Sequence, residues 1–149
     1  MISITEADNN NRDILKILIA ERATNVALTA AWKEVGDLLT KKLRYMIRNG
    51  PRTGRVYTFR GRKHQASAPG EVPANRTGRL AESVGYEATG HHTLVFGEEA
   101  EYATYLELGT QNKDGSLRMA KRPHLSVAVT EMQTVTMNTL VKFIAEAYK

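Results

Sequence analysis

Metal, nucleophile and acid-base chemistry each need particular residue types at particular spacings, and this 149-residue chain supplies few of them. Of its four histidines, His91 and His92 are adjacent in a stretch that reads as a hairpin turn. His64 and His124 have no HxH, HxxxH or HExxH partner, so no metal-ligand set is formed. Ser67, Ser83, Ser116 and Ser126 lack the strand-turn-helix setting of a nucleophilic serine, and no carboxylate pair marks a catalytic dyad. The run Gly50-Pro51-Arg52-Thr53-Gly54-Arg55 has neither the glycine spacing nor the strand-to-helix frame of a nucleotide loop. With no cysteine, thiol, disulfide and cysteine-metal functions drop out. The expectation is a protein that is not an enzyme and carries no cofactor or metal.

What remains is charge. The formal charge of +5 is regional: Lys41 to Arg79 holds eleven Lys/Arg and a single acid, Glu71. Within it Arg52, Arg55, Arg60, Arg62, Lys63, Arg76 and Arg79 interleave with Tyr57 and Phe59. Cations and rings in this arrangement grip a phosphate backbone by contact and stacking. The same field also steers a protein toward an acidic protein surface, and a solvated basic loop would look alike.

A second concentration of unusual residues lies at Glu101 to Leu125. Tyr102 to Leu108 reads as a short helix stopped by Gly109-Thr110, followed by a polar turn at Asn112 to Ser116 and a restart at Arg122-Pro123. Tyr102, Tyr105, Leu106 and Leu108 are expected on its buried side, with Glu101 and Glu107 in water. Glu107 and Arg122 flank the Gly-Thr turn with opposite charge and are expected to form a hydrogen-bonded pair.

The elements that position these stretches are legible from periodicity. From Ile14 to about Asn49 there is no proline, and Leu28, Trp32, Val35, Leu39, Leu43 and Met46 recur at helical spacing. Trp32 reads as a core anchor. Thr24, Asn25 and Thr29 lower propensity mid-helix, so a second helix capped at Thr24 or Asn25 is an alternative. Ahead of it, Ile2 and Ile4 alternate, and Asn9 to Asn11 with Asp13 are expected as a cap. Gly50-Pro51 ends the helix. Pro51 to Asn75 is expected as a mobile basic loop in which only Val56 to Phe59 reads as a strand. Thr77 to Leu80 reads as a capped turn into a hairpin of Leu80 to Ala88 and Thr93 to Gly97, with Leu80, Val84 and Tyr86 inward. A final helix of about twenty residues starts near Leu125, its inner side marked by Val129, Met132, Val135 or Thr136, Leu140, Phe143 or Ile144, and Ala147. The class is α+β, one domain: a small antiparallel sheet packed against a long N-terminal helix and a C-terminal helix, with a protruding basic loop or hairpin. The apolar run Ile14 to Ala20 is interrupted by Lys16 and too short for a membrane span or leader, so the protein is expected to be soluble, without a membrane contact, and made in the cytoplasm.

Taken together, the ordered motifs resemble the small phage tail-component or tail-completion proteins that act where head and tail join. The resemblance runs through Ala66, Ser67, Ala68, Pro69, Gly70, Glu71, Pro73 and Ala74 to Thr77, Gly78, Arg79 and Leu80. It resumes at Tyr102, Ala103, Glu107, Gly109 and Thr110, then at Arg122, Pro123 and Leu125. His124 stands where Phe is commoner, and the loop Asn112 to Met119 is slightly extended.

The resemblance implies a structural virion protein at the head-tail junction, a hexameric ring on the tail or connector, and a subunit able to be monomeric in isolation. Implied partners are other phage tail or connector proteins, with DNA contact in the lumen an option. No catalytic residues come with the family. The implied assembly interface comprises Arg52, Arg55, Tyr57, Arg60, Arg62, Lys63, Pro69, Glu71, Arg79, Tyr102, Glu107, Thr110 and Arg122. Trp32, Gly78, Leu80, Gly109 and Pro123 are structural. A head-side connector adaptor or stopper, and a DNA-binding accessory protein, are the competing readings.

Overall fold

The computed structural model describes residues 4–149, with side chains from Ile14 onward. The expected contribution of Ile2 lies outside the described residues. In chain order the elements are α1 (Ile4–Asn49), β1 (Val56–Phe59), β2 (Arg62–Gln65), α2 (Arg79–Glu82), β3 (Val84–Thr89) and β4 (Thr93–Glu98). They continue with α3 (Ala103–Leu108), β5 (Thr110–Gln111), β6 (Leu117–Met119) and α4 (Leu125–Ala147).

The first helix is one piece, and at about 1.5 Å per residue it is roughly 70 Å long. It does not break at Thr24: the Thr24 hydroxyl donates to the Ala20 carbonyl and the Thr29 hydroxyl to that of Asn25, each at 2.9 Å. Bonding back to the carbonyl four residues earlier is how a threonine hydroxyl is accommodated inside a helix, at a slight cost that does not break it here. The helix is already running at Ile4, so Asn9 to Asn11 and Asp13 sit within it rather than ahead of it as a cap. Its inner stripe is Ala31, Val35, Leu39, Leu43 and Ile47, all buried, with Leu28, Trp32 and Met46 half-buried at the margins. The Gly50 N–H closes the last turn on the Met46 carbonyl at 2.7 Å.

The last helix runs antiparallel along α1. Lys42 Nζ meets Glu131 Oε2 at 2.6 Å near one end, and the Thr24 and Tyr148 hydroxyls meet at 2.6 Å near the other. Val129 and Val135, expected inward, are 48% and 41% exposed, while Ala128 is fully buried and Met132, Thr136, Leu140, Phe143 and Ile144 are half-buried.

The strands form three separate antiparallel hairpins, β1 with β2, β3 with β4, and β5 with β6. The middle hairpin lies on α1. Gly36 is required there, because a Cβ would stand 2.3 Å from the Tyr86 ring. The Tyr86 hydroxyl donates to Asp37 Oδ1 at 2.9 Å, Arg44 Nη2 to the Val84 carbonyl at 2.9 Å, and Trp32 Nε1 to the His91 carbonyl at 3.2 Å. The stretch expected as one strand from Leu80 begins instead with the single turn α2, which buries Leu80 and Ala81 before Val84 starts the ladder.

In α3 the buried side is not the expected one. Ala103 is buried and Tyr102 and Leu106 pack against the core, but Tyr105 and Leu108 are 59% and 72% exposed. The helical period puts residues 102, 103 and 106 on one face and 105 and 108 on the other. The core is built from Leu43, Ile47, Leu80, Ala81, Val84, Ala100, Ala103 and Ala128; its four alanines let the elements approach closely. The third hairpin, β5 with β6, has no counterpart in the periodicity, since its strands are mostly exposed. The Asn112 to Ser116 turn between them is held by Asp114, which accepts from the Ser116 N–H at 2.9 Å and its hydroxyl at 2.6 Å.

Candidate assembly surface

The basic segment folds back on itself. Arg60 and Gly61 both have positive φ, 48° and 74°, which is what a two-residue hairpin turn of matching twist requires. The ladder pairs Tyr57 with His64 and Phe59 with Arg62, so these four share a face. Backbone bonds from the Gly54 N–H to the Ala66 carbonyl and from the Ala66 N–H to the Arg55 carbonyl extend the pairing. Gly54 permits this approach, since a Cβ would meet the Ser67 carbonyl at 2.7 Å. Along the ringed face His64 lies 6.0 Å from Tyr57 and 6.1 Å from Phe59. Arg76 places its guanidinium 4.1 Å from the Phe59 centroid, a cation-π contact that returns the hairpin toward the body. Arg52, Arg55, Arg60, Arg62 and Lys63 are exposed around it.

Two clips hold the base. Glu71 accepts from the Thr53 hydroxyl at 2.5 Å, the Thr53 N–H at 3.2 Å and the Ala68 N–H at 2.7 Å. These donors keep its carboxyl below the ordinary carboxylate range. Arg122 provides the other clip, donating from Nε to the Ser67 hydroxyl at 3.0 Å and from Nη2 to the Ser67 carbonyl at 3.3 Å. Ser67 and Pro73 are buried, Val72 packs against the core, and the Gly70 N–H reaches the Lys121 carbonyl at 3.0 Å.

Between this base and the turn that opens α2 runs a groove of about 540 Å³. Tyr57, Arg79, Tyr102 and Arg122 come together in it, joined by Arg76 and by Leu80 and Leu106 at its floor. The Arg79 guanidinium lies 5.9 Å from the Tyr102 ring. Gly78, with φ of 85°, makes the left-handed entry to α2, and its N–H is held by Asn75 Oδ1 at 2.9 Å. Three arginines and no acid line the groove, so its chemistry suits an acidic or phosphate-bearing partner. Arg60, Arg62 and Lys63 sit at the far end of the hairpin, Arg52, Pro69 and Glu71 at its foot, and Thr110 in β5. Arg52 donates to the Arg48 carbonyl at 3.0 Å, a cation at the end of α1.

Glu107 and Arg122 do not pair. The Glu107 carboxylate instead caps α4, accepting from the N–H groups of His124, Leu125 and Ser126 at 2.8, 3.1 and 3.1 Å and from the Ser126 hydroxyl at 2.5 Å. The open backbone donors of a helix start attract a carboxylate, and here three of them and a hydroxyl converge on one side chain. Burial alone would raise its carboxyl, but the Ser126 hydroxyl and the backbone donors outweigh it and hold the group below its ordinary value. Arg122 still ties this region together by its backbone, whose N–H meets the Leu106 carbonyl at 2.7 Å. Gly109 ends α3 with φ of 75°, and its close approach to the Met119 carbonyl leaves no room for a Cβ.

His124 is fully buried beside this cap. Its Nε2 is 3.0 Å from Glu98 Oε2, and its Nδ1 is 2.8 Å from the Arg122 carbonyl and 3.0 Å from Glu107 Oε2. Burial by itself lowers the imidazole, but the bond to Glu98, the Arg122 carbonyl and the two carboxylate charges together raise it above the ordinary histidine value. Glu98 is the residue that sequence reasoning missed: it lies 26 positions before its partner, and no local spacing connects them. Among the described residues, no cluster of His, Asp and Glu is arranged to hold a metal ion, and no helix is long and apolar enough to cross a membrane.

One family matches the chain. Residues 12–109 fit the family described as "Bacteriophage HK97-gp10, putative tail-component". The match spans about two-thirds of the chain, from the first helix through the basic hairpin and the groove motifs to Gly109. No curated protein and no solved structure matches it.

Proposed function

Because the chain belongs to the HK97-gp10-like family of bacteriophage tail components, we propose that it is a structural virion protein that completes the tail and helps join it to the head. It acts as a ring, sixfold like the tail it would cap, and binds neighbouring tail or connector proteins. It is made in the host cytoplasm and carried into the virion at the head-tail junction. One observation carries the reading beyond the family: the basic hairpin stands off the body and is clipped at its foot to a groove lined by Arg76, Arg79 and Arg122. A subunit shaped in this way presents one cationic arm and one cationic seat, the parts needed to engage an acidic neighbour or DNA threading the ring. The whole chain works as one unit, with the hairpin its mobile part.

Electron microscopy of particles assembled without this protein tests the proposal. Full heads beside mature, unjoined tails are the expected result. Tails of irregular length would assign it to termination alone, emptied heads would make it a connector stopper, and infectious, joined particles would overturn the assembly role.

A further inference from the structure

The long first helix outruns its partner. Tyr148, at the end of α4, lies against Thr24, and Ile19 lines a shallow hollow with Phe143, Glu146 and Ala147 of α4, so from Ile19 back to Ile4 α1 runs on past the end of its partner. On that overhang Ile14, Leu15, Leu18 and Ile19 are 50–62% exposed. At positions i, i+1, i+4 and i+5 they share one helix face, a contiguous apolar stripe exposing on the order of 400 Å². A stripe of that size matches the largest apolar patch of a typical monomer, and such patches are often functional.

Elsewhere on the chain lies its chemical match. A groove of about 580 Å³ runs between α1, β4 and α4, lined by Trp32, Leu39, Phe96, Leu125, Val129 and Met137 among others, with no charged residue. From Leu125 to Met137 it extends about 18 Å along α4, longer than the two turns of the stripe. A furrow beside two antiparallel helices is the usual seat for a third. The stripe cannot reach its own groove, because Ile19 and Trp32 sit on the same continuous helix about 20 Å apart. A second copy can.

We propose that the α1 overhang of one subunit docks its Ile14, Leu15, Leu18 and Ile19 face into the apolar groove of the next. The contact is head-to-tail, so every subunit offers one stripe and one groove, and repetition closes a ring or continues as a filament. Choosing this over overhang-to-overhang pairing rests on the tail-ring reading, since twofold pairing turns alternate copies upside down about the tail axis and leaves the groove empty. A single helix in a groove is a small interface, so it is weak between two free subunits and becomes stable on closure or on a template.

The cysteine-free chain makes the contact directly testable. Two preparations of the full chain are made, one with Leu18→Cys and one with Gln133→Cys in the groove lining, then mixed and treated with a short bifunctional thiol reagent. The expected product is the mixed dimer, lost when Val129→Glu is added to the groove partner. Sedimentation of Leu18→Glu and Val129→Glu proteins at concentrations high enough to populate so weak a contact should show monomers separately and a concentration-dependent dimer when combined, because only one intact stripe and one intact groove then meet. Circular dichroism checks that both variants fold. Absence of the mixed crosslink, or crosslinks only between two Leu18→Cys chains, would overturn the proposal. Neither result would touch the particle phenotype that tests the tail role.

Discussion

His124 Nε2 lies 3.0 Å from Glu98 Oε2 with both side chains almost without solvent, 0% and 3% exposed. This pair joins β4 to the start of α4, and Glu107 on α3 closes the other side of the ring at 3.0 Å. Three separate elements, β4, α3 and α4, therefore meet on one imidazole.

A raised imidazole sets the sign of a pH effect. The folded value exceeds that of the unfolded chain, so the bound proton stabilises the fold fully below about pH 6.5 and the contribution is lost as pH rises through the folded value. Thermal melts from pH 6 to 9 should show stability falling with rising pH, and His124→Gln should flatten that slope. A wild-type midpoint unchanged over the range would contradict the assignment.

Replacing His124 by Phe leaves the Glu98 carboxylate buried without a partner. Its Oε1 already has none. His124→Phe should cost roughly 3–5 kcal/mol, and adding Glu98→Leu should recover most of it, because an apolar replacement of both partners removes the stranded charge. Chemical denaturation of the single and double variants measures both.

Glu107→Gln tests the cap. The loss at pH 7 should be about 1–2 kcal/mol, the usual scale of an N-terminal cap. Glu107 is held below its ordinary value, so its contribution is present above the unfolded carboxylate value, about pH 4.3, and disappears as pH falls through the lower folded value. The difference between wild type and variant should therefore vanish in acid.

Gly36→Ala tests the close packing of β3 on α1. With the Tyr86 ring 2.3 Å from the new Cβ, the substitution should destabilise by about 1–3 kcal/mol, readable as a lower denaturant midpoint.

Amide exchange probes the basic arm. The tip around Arg60 and Gly61 should exchange fast while the core turns of α1 near Leu43 and Ile47 stay protected. Arg122→Ala removes both bonds to Ser67 and should spread fast exchange into residues 66–74, leaving α1 unchanged.

The two long helices and the middle hairpin were readable because their residues repeat with a period that burial imposes. Val35, Leu39 and Leu43 lie where the spacing placed them. Glu107 was misread for a physical reason: charge suggests a cation as its partner, whereas the donors that claimed it are uncharged N–H groups of a helix start 17 to 19 residues ahead. Arg122 in turn found Ser67, 55 positions back. Of the anticipated interface, Tyr57, Arg79, Tyr102 and Arg122 share one groove. That convergence depends on tertiary packing, as does the overhang, which exists only because α4 stops opposite Thr24.

Position in the particle is the most direct measure of the account. The chain carrying Lys113→Cys in the exposed β5–β6 turn, tagged with gold at that single thiol, can be added to particles lacking the protein and imaged. Gold in a ring at the head-tail junction, with joining restored, is the predicted result. Gold along the tail shaft or at its far tip, or joining restored without bound gold, would contradict it.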